Sequence, residues 1–363
     1  DRDNICCHLF YIIVGDIMIH GGDTVSYIKE YDGDIIDYSS NINPLGPPEG
    51  LKDEMDRAYT ELRAYPDIHY RELRRNVARY LGCDARDVIV GNGALDIISN
   101  VSLLFNRTVT FTPCFSEYIK RPAVYGKQVL KLGLDNNFRI DLKLLSDKLC
   151  SGDLLILGNP NNPTGLRIPG KTLIGIYEIV KQKHAFLLLD EAFFEFCPSD
   201  YDSIELLRGA DNVCIIRAAT KFFALPGIRL GYGCTSDVFA QSYRNIESPW
   251  SVNAYANAAG RYIFKDKDYI NRTKRYIKDE REYLINELGR IGWMRVYKSE
   301  ANFILLKLLK YDEDIVFDRL IHNGIMIRKA SSFEGLDKTY IRIAVKGHES
   351  NEKLIGLMKE LEQ

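Results

Sequence analysis

The 363-residue chain has no run of apolar residues reaching the roughly 18 that a membrane-crossing helix requires. Its nearest candidate, Leu9 to Ile19, is interrupted by Asp16 and lacks both a strong basic leader and a small-residue cleavage site, which argues against secretion. Charge of one sign is also missing. Lys and Arg total 48 against 50 Asp and Glu, a formal charge of -2, so no broad positive field draws the chain to nucleic acid or a membrane surface, and anionic ligands need local sites. The eight cysteines (Cys6, Cys7, Cys83, Cys114, Cys150, Cys197, Cys214 and Cys234) form no C-x-x-C pair and have no matching His spacing. That excludes a zinc site or a disulfide framework, so no metal is expected, and it fits a reducing cytoplasm. Internal repeats and low-complexity segments are absent as well.

Apolar residues make up 46% and charged residues 27% of the chain, the balance of a folded enzyme-sized protein. The length exceeds what one hydrophobic core usually organises and predicts a large domain with a smaller one. Met18-Ile19-His20-Gly21-Gly22 reads as a natural start. Residues 1–17 are therefore expected to be an upstream extension or cloning remnant whose deletion leaves activity intact.

From Asp87 onward, short apolar runs alternate with longer amphipathic stretches, the pattern of βα units on a mostly parallel sheet. Strands are predicted at Val88 to Val90, Val109 to Thr112, Gln128 to Leu132, Leu154 to Leu157, Phe186 to Leu189, Val213 to Arg217 and Leu230 to Cys234. Several are continuously apolar, as strands covered on both faces should be. The expected organisation is an N-terminal extension and arm over 1–44, a large α/β domain over 45–254, a long connecting helix over 255–290 and a small α+β domain over 291–363.

Four landmarks follow in order, each at the end of a predicted strand or in the loop after it, where open α/β sheets place their ligands. Gly91-Asn92-Gly93-Ala94 precedes a helix and suits backbone cradling of an anion such as phosphate. Asn159-Pro160-Asn161-Asn162-Pro163-Thr164-Gly165 is a proline-stiffened turn able to hold side-chain amides toward a ligand oxygen. Asp190-Glu191 closes a buried strand, so Asp190 needs a cationic or proton-donating partner. Thr220-Lys221 is followed by Phe222, Phe223 and Leu225, surroundings that desolvate the amine and lower its pKa, and eight residues on comes Arg229 in Gly-Ile-Arg-Leu-Gly. Phosphate, ring nitrogen and aldehyde sites in this order match pyridoxal 5'-phosphate.

With these motifs the sequence resembles fold-type I pyridoxal-phosphate enzymes of the class I/II aminotransferase superfamily, in the histidinol-phosphate aminotransferase branch. The likeness runs from about Ile19 to the C-terminus. His20-Gly21-Gly22-Asp23, the segment Asp37 to Pro48, and Asp190-Glu191-Ala192-Phe193 look like the threonine-phosphate decarboxylases of cobalamin biosynthesis. In the aminotransferases a Tyr usually occupies the place of Phe193.

The resemblance implies that Lys221 condenses with the cofactor aldehyde and that Asp190 keeps the ring nitrogen protonated. By the same likeness Asn162 donates to the ring hydroxyl and Phe115 stacks on the ring face. Gly93, Ala94, Thr220 and Arg229 are expected to hold the cofactor phosphate, joined by Tyr65 from a second copy across a homodimer interface. Arg342 is expected to clamp the substrate carboxylate, with His20, Gly21, Gly22, Asn43 and Arg328 binding the rest of the substrate, its phosphate included. The activity implied is decarboxylation of O-phospho-L-threonine to (R)-1-aminopropan-2-yl phosphate. Histidinol-phosphate transamination and O-phospho-L-serine decarboxylation are the alternatives, since one methyl group gives only ~1–3 kcal/mol of discrimination. A cofactor-binding transcription regulator on the same fold is disfavoured by the near-neutral charge and by the lack of a helix-turn-helix segment ahead of the domain.

Overall fold

The structure is a computed structural model that describes residues 20–362; the segment 1–17 lies outside them. Its strands are β1 (Ile36–Asp37), β2 (Val88–Gly91), β3 (Arg107–Thr112), β4 (Gln128–Gly133), β5 (Leu154–Gly158), β6 (Phe186–Asp190), β7 (Val213–Ala218), β8 (Gly231–Thr235), β9 (Met294–Val296), β10 (Phe303–Leu308), β11 (Ile325–Met326), β12 (Arg328–Lys329) and β13 (Tyr340–Ala344). A seven-stranded sheet runs in the order β2-β8-β7-β6-β5-β3-β4, antiparallel only where β8 meets β2 and β7. All residues of β5, β6 and β7 are buried, because helices cover both faces of the sheet and a strand so enclosed must be apolar along its length. Polar chemistry therefore collects at the strand ends. Register sets Gly158 beside Asp190, and Asp190 beside Ile216. From β3 the chain steps outward to β4, then returns to β5 on the other side of β3. A crevice opens at such a reversal, at the carboxyl ends of the strands.

A second, antiparallel sheet has the order β12-β13-β10-β9. The extended run from Ile325 to Lys329 serves two partners: β11 pairs with β1 of the N-terminal arm, while β12 pairs with β13 and sets Arg328 opposite Arg342. The single connecting helix expected over 255–290 is two helices, Ala254–Tyr262 and Lys267–Leu288. The break lies where buried Phe264 turns inward and the Asp266 side chain accepts the Tyr269 N–H at 2.9 Å, capping a new helix. Among the described residues no helix is long and apolar enough to cross a membrane.

Asn43 joins the arm to the large sheet. Its backbone N–H donates to the Lys221 carbonyl at 3.2 Å, and its Nδ2 donates to the Phe222 carbonyl at 2.8 Å and to Tyr269 Oη at 2.9 Å. Its Oδ1 accepts the Leu45 N–H. The expectation that Asn43 binds substrate is therefore corrected: its amide is buried and engaged within the protein, fastening the loop that carries Lys221. Asn43→Ala strands a buried carbonyl and is expected to lower the unfolding free energy by about 1–3 kcal/mol. Urea denaturation measures this, and an unshifted midpoint would count against the fastening role.

Candidate active site

At the carboxyl ends of β5, β6 and β7 lies a cavity of about 370 Å³, within the size range of small-molecule sites. Its walls include Lys221, Asp190, Asn162, Phe115, Ala94, Thr220, Arg229, Arg328, Arg342, His20 and Gly21. Eleven of the fifteen residues singled out in the sequence thus share one space, including the amine and the carboxylate on which the reading turns.

The cation at its centre is destabilised. Burial lowers the Lys221 pKa to about 8, aided by the positive charge of Arg342 and, less, of Arg229 and Lys346, while Asp37 acts the other way. The aromatic ring facing the amine is that of Phe193, 6.0 Å away. Phe222 and Phe223, expected to desolvate the lysine directly, instead pack in the main core with Tyr269. Desolvation of the lysine is as anticipated, but its source is the cavity wall.

Asp190 has the proton donor that its burial demands. Tyr118 Oη donates to Oδ2 at 2.8 Å and the Ala192 N–H donates to Oδ1 at 3.0 Å. Burial raises the carboxyl pKa and these two bonds oppose the rise. No motif pointed to Tyr118; its only cue was its place three residues after Phe115.

The anion cradle is made by close backbone approach. Gly93 precedes the helix Ala94–Leu103 with φ +85° and supplies no side-chain cap, so N–H groups of the first turn lack intrahelical partners. Gly93 itself does not line the cavity but lies against it. A Cβ there would come within 2.4 Å of Arg229 Nη2, and one on Gly231 within 2.4 Å of the Gly93 carbonyl carbon. Arg229 holds φ +60°, a costly conformation for a non-glycine residue that tends to occur at functional sites.

On the opposite wall Arg328 and Arg342 stand side by side, both buried, flanking Phe333 at 5.2 and 5.7 Å. Arg342 donates from Nη1 to Asn162 Oδ1 at 2.5 Å and from Nη2 to the Ser39 carbonyl at 2.6 Å. The first bond turns the amide so that its NH2 end is the remaining donor. Arg328 donates from Nη2 to Ser332 Oγ at 2.8 Å. Arg342 Nε and Arg328 Nη1 are buried without a partner, which is costly unless an anion meets them. Burial also holds both guanidiniums below their ordinary range, although arginine stays charged in such sites.

Three expected residues stand apart from the cavity besides Gly93. Asn43 is internal, as described. Gly22 is not part of the cavity wall, and its N–H donates to Ser39 Oγ at 2.8 Å, which anchors the arm. Tyr65 is 80% exposed and stacks on Trp250 at 4.6 Å, outside the cavity of its own chain. His20 reaches the cavity rim, with Nε2 3.4 Å from Glu117 Oε1.

These features fit a phosphorylated, ring-bearing aldehyde: unpaired helix N–H groups beside an arginine, a buried carboxylate with acceptor capacity, and a desolvated amine. The family model for aminotransferase class I and II matches residues 33–357. The chain is 40% identical over 345 residues to a protein of Caldanaerobacter subterraneus subsp. tengcongensis named "Putative threonine-phosphate decarboxylase", covering 92% of this chain and 94% of that one. It is 31% identical to the threonine-phosphate decarboxylase of Salmonella typhimurium, over 94% of this chain and 96% of that one. Among solved structures it resembles the histidinol-phosphate aminotransferase of Clostridium acetobutylicum, with a TM-score of 0.85 and 36% identity over 90% of this chain and 98% of the other. The chain belongs to the class I and II aminotransferase family and is a pyridoxal-phosphate-dependent enzyme.

Proposed function

We propose that the protein decarboxylates O-phospho-L-threonine, releasing CO2 and (R)-1-aminopropan-2-yl phosphate for corrinoid synthesis in the cytoplasm. One observation carries the reading: Arg328 and Arg342 stand opposite each other on paired strands and both line the cavity that holds Lys221. A substrate with both a phosphate and a carboxylate meets both. The threonine-phosphate decarboxylases among the relatives support the same substrate.

Pyridoxal phosphate, when bound, supplies an aldehyde that takes up amines and a ring that accepts the electron pair released at the substrate α-carbon. The protein's residues do the rest. Gly93, Ala94, Thr220 and Arg229 hold the cofactor phosphate, joined by Tyr65 from a second copy in a homodimer. Asp190 would keep the ring nitrogen protonated, the Asn162 amide would donate to the ring hydroxyl, and Phe115 would pack against the ring. Arg342 receives the substrate carboxylate through its free edge, where a planar fork serves better than an ammonium. Arg328, with His20 and Gly21 at the rim, receives the substrate phosphate. Holding both anionic ends, Arg328 and Arg342 would fix the orientation of the substrate in the cavity and so which bond at its α-carbon is broken. Lys221, whose pKa burial lowers to about 8, would return a proton to the α-carbon. Phe193 removes the hydroxyl that a Tyr would bring beside the amine.

Transamination of histidinol phosphate is the second reading, favoured by the 36% identity to the Clostridium enzyme. Incubating the purified protein with phosphothreonine should release one CO2 per amine phosphate formed. Glutamate made from histidinol phosphate and 2-oxoglutarate, without CO2 from phosphothreonine, would reject the proposal. Faster turnover of O-phospho-L-serine would correct the substrate alone. Lys221→Ala should abolish both turnover and the near-visible absorbance of the bound cofactor.

The amine pKa gives a second test. Only the neutral amine attacks an aldehyde, and a pKa of about 8 leaves Lys221 mostly protonated below that value and free above it. The rate at which cofactor-free protein takes up pyridoxal phosphate should therefore rise with pH and level off roughly one unit above the pKa. A stopped-flow trace of the absorbance change measures it; a rate still climbing toward an ordinary lysine pKa would mean the amine is not desolvated in solution.

A further inference from the structure

Asp190 has a neighbour that the proposed chemistry leaves without a task. Tyr118 is the second residue of the helix Glu117–Val124 and is 2% exposed. Its hydroxyl donates to Asp190 Oδ2 at 2.8 Å, and its ring meets Phe115 edge-on at 5.6 Å. The hydroxyl also lies over Gly158, the residue paired with Asp190 across β5 and β6, where a Cβ would come within 3.2 Å of it. The other carboxylate oxygen, Oδ1, accepts the Ala192 N–H at 3.0 Å. Asp190 is therefore gripped from two directions, by a side chain from the helix Glu117–Val124 and by the backbone of its own loop. A carboxylate has about four lone-pair sites, so these two bonds leave acceptor capacity for a group in the cavity that Asp190 lines.

We propose that Tyr118 is a positioning residue, which fixes the orientation and the ionised state of Asp190 for the cofactor's ring nitrogen and braces Phe115 against the ring face. The proposal rests on the reading of Asp190 as partner of that nitrogen. Its physical basis is that a neutral carboxyl group cannot hold a proton on the ring, and burial pushes Asp190 toward the neutral form. A hydroxyl donating to the carboxylate favours the charged form instead. Burial raises the pKa of Tyr118 well above its ordinary value, so the hydroxyl stays a donor throughout the working range. The other titratable groups near the pair are the Cys114 thiol, beside Tyr118, and Lys221, on the same cavity.

Tyr118→Phe keeps the ring and deletes the bond. In the holoenzyme it is expected to leave the melting temperature nearly unchanged, to weaken pyridoxal-phosphate binding about tenfold, and to lower kcat with little change in KM. Without its donor Asp190 takes up a proton at higher pH, so the acid limb of the kcat profile and the pH titration of the cofactor absorbance should both move upward. In an Asp190→Asn background Tyr118→Phe should add nothing further. Wild-type cofactor affinity with an unmoved acid limb in Tyr118→Phe would overturn the proposal. So would a loss of affinity that persists unchanged in the Asp190→Asn background, which would mark a packing role alone. If Asp190→Asn itself leaves affinity and spectrum as in the wild type, the assignment of Asp190 fails, and the Tyr118 proposal falls with it for that separate reason.

Discussion

Four positively charged side chains, Lys221, Arg229, Arg328 and Arg342, line one cavity, and like charges brought together out of water repel one another strongly. The structure tolerates this because each is fixed by something other than its neighbours. Arg342 is held by Asn162 and the Ser39 carbonyl, Arg328 by Ser332, and Arg229 by the Pro226 carbonyl. Lys221 is held only by its backbone and responds through its pKa. An anionic ligand relieves all four together. The same crowding of charge goes with the lowered pKa of Lys221 and with the rigid frame beneath.

That frame is the large sheet, and its logic was legible in the sequence because enclosed parallel strands allow little variation. Leu154 to Leu157 and Phe186 to Leu189 read as strands from composition alone, and the residues ending them, Gly158 and Asp190, fall where a ligand can reach. The motif residues Asn162, Asp190, Lys221 and Arg229 came together because loops at the carboxyl edge of such a sheet converge. What stayed hidden was short or shared. β1 has two residues and β9 three, too few for any periodicity to register, and the run from Ile325 to Lys329 divides between two sheets, which no local pattern encodes. The helix break at Phe264 was covered by helix-favouring composition on both sides, alanine-rich before it and charged after it.

Asn43 and Tyr118 show the two ways in which single residues escaped. Asn43 lies in a motif, so it invited a role in binding, yet its hydrogen bonds reach Phe222 and Tyr269, some 180 and 226 residues away. Tyr118 lies in no motif, and its partner Asp190 is 72 residues distant. In both cases the deciding fact is where a polar atom ends up relative to distant backbone, which follows from the packing of whole elements and has no local signature.

The arm, the large sheet and the small sheet meet at one guanidinium. Arg342, on β13, donates to Ser39 in the arm and to Asn162 in the loop after β5, while β1, which ends two residues before Ser39, pairs with β11, and Arg328 follows two residues beyond β11. A lysine at 342 would carry the same charge but could not span both acceptors while presenting an N–H to the cavity, because its donors share one nitrogen. The planar fork therefore has a structural task and a ligand-facing one that are inseparable. The group that joins the three parts is thus also one that lines the cavity, so the relative placement of arm, large sheet and small sheet and the charge of the cavity wall depend on the same few atoms.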